Sequence, residues 1–403
     1  MTRILATTIR RHTPHTEPSG FIYLVDVKKQ QVLQRCEMIE PAFREVDTNP
    51  RGGMRGSRGI SVRPDEIAIA NASVIFRYDP HWNLLGAISH PAMAAVHDIL
   101  YQGDTLWACS ARNDLIYQFD LHGALQRHIY LRDPSPALHS LSWKPARLVR
   151  QDTIRGQKIE FRDPRTHDEE TYDHAHVNSI CITPDGAMLV SMGLVLNSGF
   201  STLLRVKSRL VKAGVWPRLL AANRQVRAVL RMKKNPHSDL VIQPARARSA
   251  VVQIAPDGAH RLALTLEGVT VPSHSLLPLP DGTLAYMNTT AGEMVHFEPN
   301  AGRVLSSTRV TDGFLRGALR LPSGRLLLGS KRELITFNLD GCRVDERMVI
   351  SEDSNESVYD IKILPEHYDP PPLSFAESFL AQAGYPSEQL HQRQYRLSNS
   401  SHR

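Results

Sequence analysis

The chain lacks most of the features that would tie it to a membrane or to an oxidising compartment. It has four cysteines in 403 residues, Cys36, Cys109, Cys181 and Cys342, far apart and without C-x-x-C spacing. That excludes a disulfide framework and a zinc finger, and predicts buried thiols in a reduced compartment. No apolar run approaches the roughly 20 residues of a membrane span. The opening MTRILATTIRR has no apolar core of a secretory signal, so the expectation is a cytoplasmic protein with no transmembrane segment. No aromatic RNP-type motif appears, which speaks against sequence-specific nucleic-acid binding. Acidic residues nearly vanish from one segment. Between 194 and 247, eleven Lys and Arg face a single acid, Asp239. This stretch carries +10 in a chain of formal net charge +7, so the remainder is near −3.

What is present is a repeat. Residues 177–191 (VNSICITPDGAMLVS) read as a strand, a Pro-Asp-Gly turn and a second strand. The unit returns at 274–288 (HSLLPLPDGTLAYMN) and 316–329 (RGALRLPSGRLLLG), and more weakly at 58–70 and 97–108. A sixth copy starts at Tyr359 (YDIKILPE) and stops at its turn. Two further alternating segments follow each complete hairpin. Repeats of about 40 residues built from four short strands specify a β-propeller. The apolar spacing is 2, where helical repeats would need 3.6.

The last repeat has an inner strand alone, and segments 4–10, 21–27 and 32–39 are three strands that lack one. The economical arrangement is a six-bladed propeller in which the C-terminal inner strand completes the N-terminal blade and removes a free edge. The expected domains are a propeller over 1–368 and a C-terminal tail over 369–403. Two insertions interrupt the propeller: a loop over 132–175 and a basic helical segment over 194–247. In the basic segment, Leu203, Val206, Leu210 and Ala213 form one helical stripe. Leu219, Ala222, Val226 and Val229 form another after Pro217, which opens a helix. Arg205, Arg209, Lys212, Arg224, Arg227 and Arg231 lie on the opposite sides. The hairpin is either a solvated lid on the propeller or a dock for an acidic partner protein or an anionic membrane surface.

Stepping back seven residues from each turn reaches Arg58, His97, Asn178, His274, Arg316 and Tyr359. Each begins an innermost strand, so the six should ring one mouth of the channel, with His176 two residues before Asn178. Core positions would be Val, Ile or Ala. Buried cations without carboxylates are unfavourable, so the ring is expected to meet water or an anionic small molecule or peptide. His274, His97 and His176 are the candidate catalytic residues, and Arg58, Asn178, Arg316 and Tyr359 the candidate ligand-binding ones. The sequence names no cofactor. A zinc, copper or iron ion on His97, His176 and His274 is an alternative that Arg58 and Arg316 oppose by repulsion. The run His167-Asp168-Glu169-Glu170 with Asp173 and His174 reads as a solvated loop.

His97-Asp98, His176-Val177-Asn178-Ser179 and Ser273-His274-Ser275, two of them ahead of Pro-Asp-Gly, resemble the motif series of arylsulfotransferase-type six-bladed propellers. With Leu315-Arg316-Gly317 they are also similar to an uncharacterised bacterial propeller family with H-D, H-L-N-G, P-H-S and T-R-G motifs. The likeness covers residues 58–340 and is carried by those short motifs. The first resemblance implies a sulfuryl-accepting nucleophile at His274, aided by His97, His176 and Asn178. Where that family has an arginine on the following strand, Ser191-Met192-Gly193 stand here. The second implies architecture and a site, with no reaction. The sequence therefore supports an enzyme of group-transfer or lyase type acting at the channel mouth. The alternative is a non-catalytic propeller that binds an anionic ligand or a partner protein.

Overall fold

The computed structural model describes residues 2–39 except 15, 56–132, 175–195, 213–229 and 247–375, with a few scattered residues between these spans. Among them are six four-stranded antiparallel sheets. Blade 1 is split as expected: Glu356–Ile363 is its inner strand, followed outward by Arg3–Arg10, Phe21–Asp26 and Gln31–Glu37. Ile4 pairs with Ile363 and Arg10 with Glu356. The inner strands of blades 2 to 6 are Ile60–Arg63, Val96–Gln102, Val177–Ile182, His274–Pro278 and Ala318–Arg320. Each inner strand contacts those of the two neighbouring blades, so the ring of strands is closed.

The core is distributed. Six buried apolar clusters each fill one gap between adjacent blades, because alternate side chains on a strand point to opposite faces of its sheet. Ile4 and Ala6 pack toward blade 6, while Leu5 packs toward blade 2. Second strands such as Glu66–Ala70 are buried on both faces, and outer strands such as Leu125–Tyr130 are largely exposed. A buried Leu, Ile or Phe contributes about 1.5–3 kcal/mol, so each interface is held by many modest terms.

Packing does not stop at Tyr368, where the tail was expected to begin. The Leu373 carbonyl accepts from the Glu37 amide at 2.8 Å, and Ser374 bridges Glu37 in parallel. Phe375 is buried, with its ring 5.4 Å from Tyr78 and 5.6 Å from Trp82. An aromatic placed after the proline run can cap the outer edge of blade 1. Three cysteines are buried thiols as expected, but Cys342 is exposed, because it sits in the turn between two outer strands.

The helix opened by Pro217 is present as α1, Trp216–Val229. Leu219, Ala222, Val226 and Val229, the stripe that a packed lid would bury, are all exposed. Arg209 is exposed too; the side chains of Arg205, Lys212, Arg224, Arg227 and Arg231 fall outside the described residues, as does most of 132–175. No described helix is long and apolar enough to cross a membrane.

Candidate functional site

Every inner strand enters the channel through a break in its pairing. Arg58 donates its amide to the Ala70 carbonyl, and Ala70 donates back to Gly59, so two residues oppose one. Arg316 and Gly317 face Gly329 in the same way. Register shifts fall between Val96 and Ile99, between Val177 and Ser179, between His274 and Leu276, and opposite Tyr359. These are β-bulges, which re-aim side chains and recur beside functional sites. Two residues before the ring, Gly56, Ala95, His176 and Phe314 all take left-handed backbone, at φ of 87°, 53°, 51° and 59°. Three of these are not glycine, so the conformation is held by its surroundings.

The bulges bring all six residues predicted for the ring together. Their exposures run from 2% for His274 to 7% for His97 and Arg316, a drier setting than a channel mouth suggests. The physical reason is that long side chains close the lumen themselves. Tyr359 is the plug. The Arg316 guanidinium lies 4.5 Å from its ring centre and that of Arg58 lies 5.5 Å away, so both cations meet one aromatic face. Arg58 Nη1 also donates to the Tyr359 hydroxyl at 3.4 Å.

Three imidazoles form a triangle. His97 is stacked on His274 with centroids 5.7 Å apart, and His176, half-buried, meets them at 4.6 and 5.6 Å. Burial, then the neighbouring His176 and two arginines, holds His97 well below the usual imidazole range. Burial and Arg316 do the same to His274. Both are neutral near pH 7. His97 Nδ1 lies 2.7 Å from the Ala95 carbonyl and 3.3 Å from Arg58 Nη1; the shorter contact favours the proton on Nδ1, with Nε2 as the basic nitrogen. In His274 the roles reverse: Arg316 Nη2 donates to Nε2, so the basic nitrogen is already occupied. Among the described residues no group of three His, Cys, Asp or Glu is arranged to hold a metal ion. His167 to Glu170, Asp173 and His174 lie outside them.

Asn178 is fixed by its amide nitrogen, which donates to the Ser273 carbonyl at 2.6 Å. A Cβ on Gly193 would come within 2.3 Å of that nitrogen, so only glycine admits this pose. The Asn178 carbonyl oxygen and Arg316 Nε are buried and have no partner among the described residues. Burial draws the Arg316 guanidinium down to about 9, with Arg11 and Arg58 pushing the same way. Arg11 is a cation that the turn offset does not reach; it stands over Phe314 at 5.2 Å, just beyond the blade 1 strand.

One residue deeper runs a second row, also unforeseen. Asp98 accepts from Ile180 N and Ser179 Oγ, at 3.0 and 2.9 Å. Ser179 Oγ accepts from Leu276 N, Ser275 Oγ from Gly317 N, and Asp360 from Ile60 N. Each is a side chain on one blade bonded to a backbone amide of the next. In blade 2 the position is Gly59, where a Cβ would meet the Asp98 Cα at 3.0 Å, and Ser61 supplies the stitch to Tyr101 N instead. Burial, then Asp360, pushes the Asp98 carboxyl up to about 6. Lys362, 2.7 Å from Asp360, is pulled down by burial but raised more by the two carboxylates. The second letters of the dipeptides H-D, N-S, H-S and Y-D are the signal for this belt.

No protein-family model matches the chain, and no curated protein matches it. Solved structures do. A protein of unknown function from Bacteroides caccae superposes with a TM-score of 0.50 at 11% identity, over 91% of this chain and all of that one. A nidogen/laminin complex gives 0.49 at 9%, over 90% and 98%. A catalytically inactive virginiamycin B lyase from Staphylococcus aureus with quinupristin gives 0.42 at 11%, over 74% and 71%. At such identities the likeness concerns the fold, and the class defined is a six-bladed β-propeller.

Proposed function

We propose that this propeller is an enzyme acting on an anionic small molecule or modified peptide at the channel mouth. The carrying observation is Arg316, a buried guanidinium that meets no carboxylate among the described residues and stands against two neutral imidazoles. An anion supplies the missing charge. Arg58, Arg316 and Asn178 hold it, and Tyr359 keeps the guanidiniums apart. His97 Nε2 takes or returns a proton, while the arginines stabilise the charge that develops. His176, nearest the opening, meets the rest of the substrate. The arylsulfotransferase resemblance would make His274 the nucleophile; with its Nε2 tied to Arg316, we assign it instead to positioning that arginine. The reaction class is group transfer or elimination.

The test uses a panel of aryl sulfates, phosphomonoesters and carboxylated cyclic peptides, with products followed by mass spectrometry. Turnover by the wild type that disappears in His97→Gln, with binding retained, is expected. Binding without any turnover would replace this reading by the non-catalytic binding module. Failure of every anion to raise the melting midpoint would overturn both.

A further inference from the structure

Two buried groups in the ring have opposite needs. Among the described residues, Arg316 Nε is a donor without an acceptor, and Asn178 Oδ1 is an acceptor without a donor. They flank consecutive residues, because Arg316 bonds the His274 ring and Asn178 bonds the Ser273 carbonyl. Asn178 cannot exchange its two ends. Its nitrogen is held at 2.6 Å by Ser273 and backed by Gly193, and turning the amide over would set oxygen against oxygen. An anion that reached both groups would satisfy the arginine and leave the asparagine worse off, since two acceptors would then face each other. A buried polar group left unpaired is a real penalty.

We propose that the ring selects an oxyanion that carries its own hydrogen-bond donor: a hydrogen phosphate or phosphomonoester, or a carboxylate beside a hydroxyl group, in preference to the donor-less sulfate or simple carboxylate. This rests on the ring being an anion site and adds which anion it takes. The guanidinium reads the charge, and the Asn178 oxygen reads the proton. Discrimination by a site built to pair a ligand's O–H is steep, because rejecting the wrong ligand leaves a buried group unsatisfied. The proposal separates this chain from the chemistry of sulfuryl donors, whose sulfate esters present acceptors only.

Matched pairs of ligands test it on the wild-type protein by calorimetry at pH 6: inorganic phosphate against sulfate, glycolate against acetate, and phenyl phosphate against phenyl sulfate. The donor-bearing member of at least one pair should bind about tenfold or more tightly. The pair that responds identifies the class, and phenyl phosphate against inorganic phosphate separates an ester from the free ion. Asn178→Leu should erase the preference while retaining weak binding of both members. Equal or tighter binding of sulfate, acetate or phenyl sulfate by the wild type would overturn the selection while leaving the anion site standing. No binding of any member would remove the anion site itself.

Discussion

The ring takes a residue from each of six inner strands and the belt takes the next residue of four of them, and the two rows differ in how their polar groups are satisfied. In the belt, Asp98, Ser179, Ser275 and Asp360 each end on a backbone amide of the next blade. In the ring, two arginines stack on one tyrosine, and a guanidinium nitrogen and an amide oxygen have no partner among the described residues. Satisfied buried polar groups hold a structure together; unsatisfied ones raise the free energy of the folded state. A bulge allows both, because it turns two successive side chains toward the same lumen.

The comparison can be broken most severely by removing what both rows share. Deleting residues from 356 onward opens blade 1 and takes Tyr359 and Asp360 together; the expected result is insoluble protein, scored by expression and gel filtration. A deletion from 369 keeps both rows but loses Phe375, and should lower stability by about 3–5 kcal/mol in urea unfolding. Within the belt, Asp360→Ala strands the Ile60 amide and the Lys362 ammonium and should cost about 3 kcal/mol. Within the ring, Arg316→Met should cost less than about 1 kcal/mol, or stabilise, because it removes a cation with no carboxylate partner. If Arg316→Met were as damaging as Asp360→Ala, the distinction between the two rows would collapse.

Titration sharpens the same contrast. Asp98, raised to about 6, takes up a proton on folding, so its contribution to stability falls as pH rises from 3.8 to about 6. Asp98→Asn should lack that fall. His97, held below 6.5, contributes stability that is full above 6.5 and lost as pH drops below it. His97→Gln should flatten that loss. Urea midpoints across this range, taken as variant minus wild type, separate the two opposed slopes. The smallest effect on the fold is expected at the basic segment. Replacing Arg205, Arg209, Lys212, Arg224, Arg227 and Arg231 by Gln should leave the melting midpoint nearly unchanged, with any binding to anionic vesicles, and its dependence on salt, abolished.

The period of the repeats made the propeller and its split blade legible, because turn residues and alternation are local and strand pairing follows from them. The ring was legible for a related reason: Arg58, His97, Asn178, His274, Arg316 and Tyr359 sit at one offset from six turns. The belt was not, because strict alternation sends Asp98 and Ser179 to the opposite face, and only a bulge returns them. Bulges are backbone events, and no residue type announces them at Ala95 or His176. The dryness of the ring was also hidden, since it depends on Tyr359 standing between two cations. Helical spacing placed Leu219 and Val226 on one stripe, but spacing cannot say whether a stripe meets anything. Phe375 went unread because its partners, Tyr78 and Trp82, are distant in the chain.

The split blade also fixes when the site can come into being. Asp360 and Thr7 touch across 353 positions of chain, so the pairing that completes the ring is among the most non-local in the molecule. At ordinary translation speeds the N-terminal strands wait on the order of half a minute for Tyr359 to emerge. Until then Arg58 has no aromatic face to rest on, and the guanidiniums have nothing to hold them apart. The ring is therefore completed only once the strand Glu356–Ile363 has been made and has paired with Arg3–Arg10.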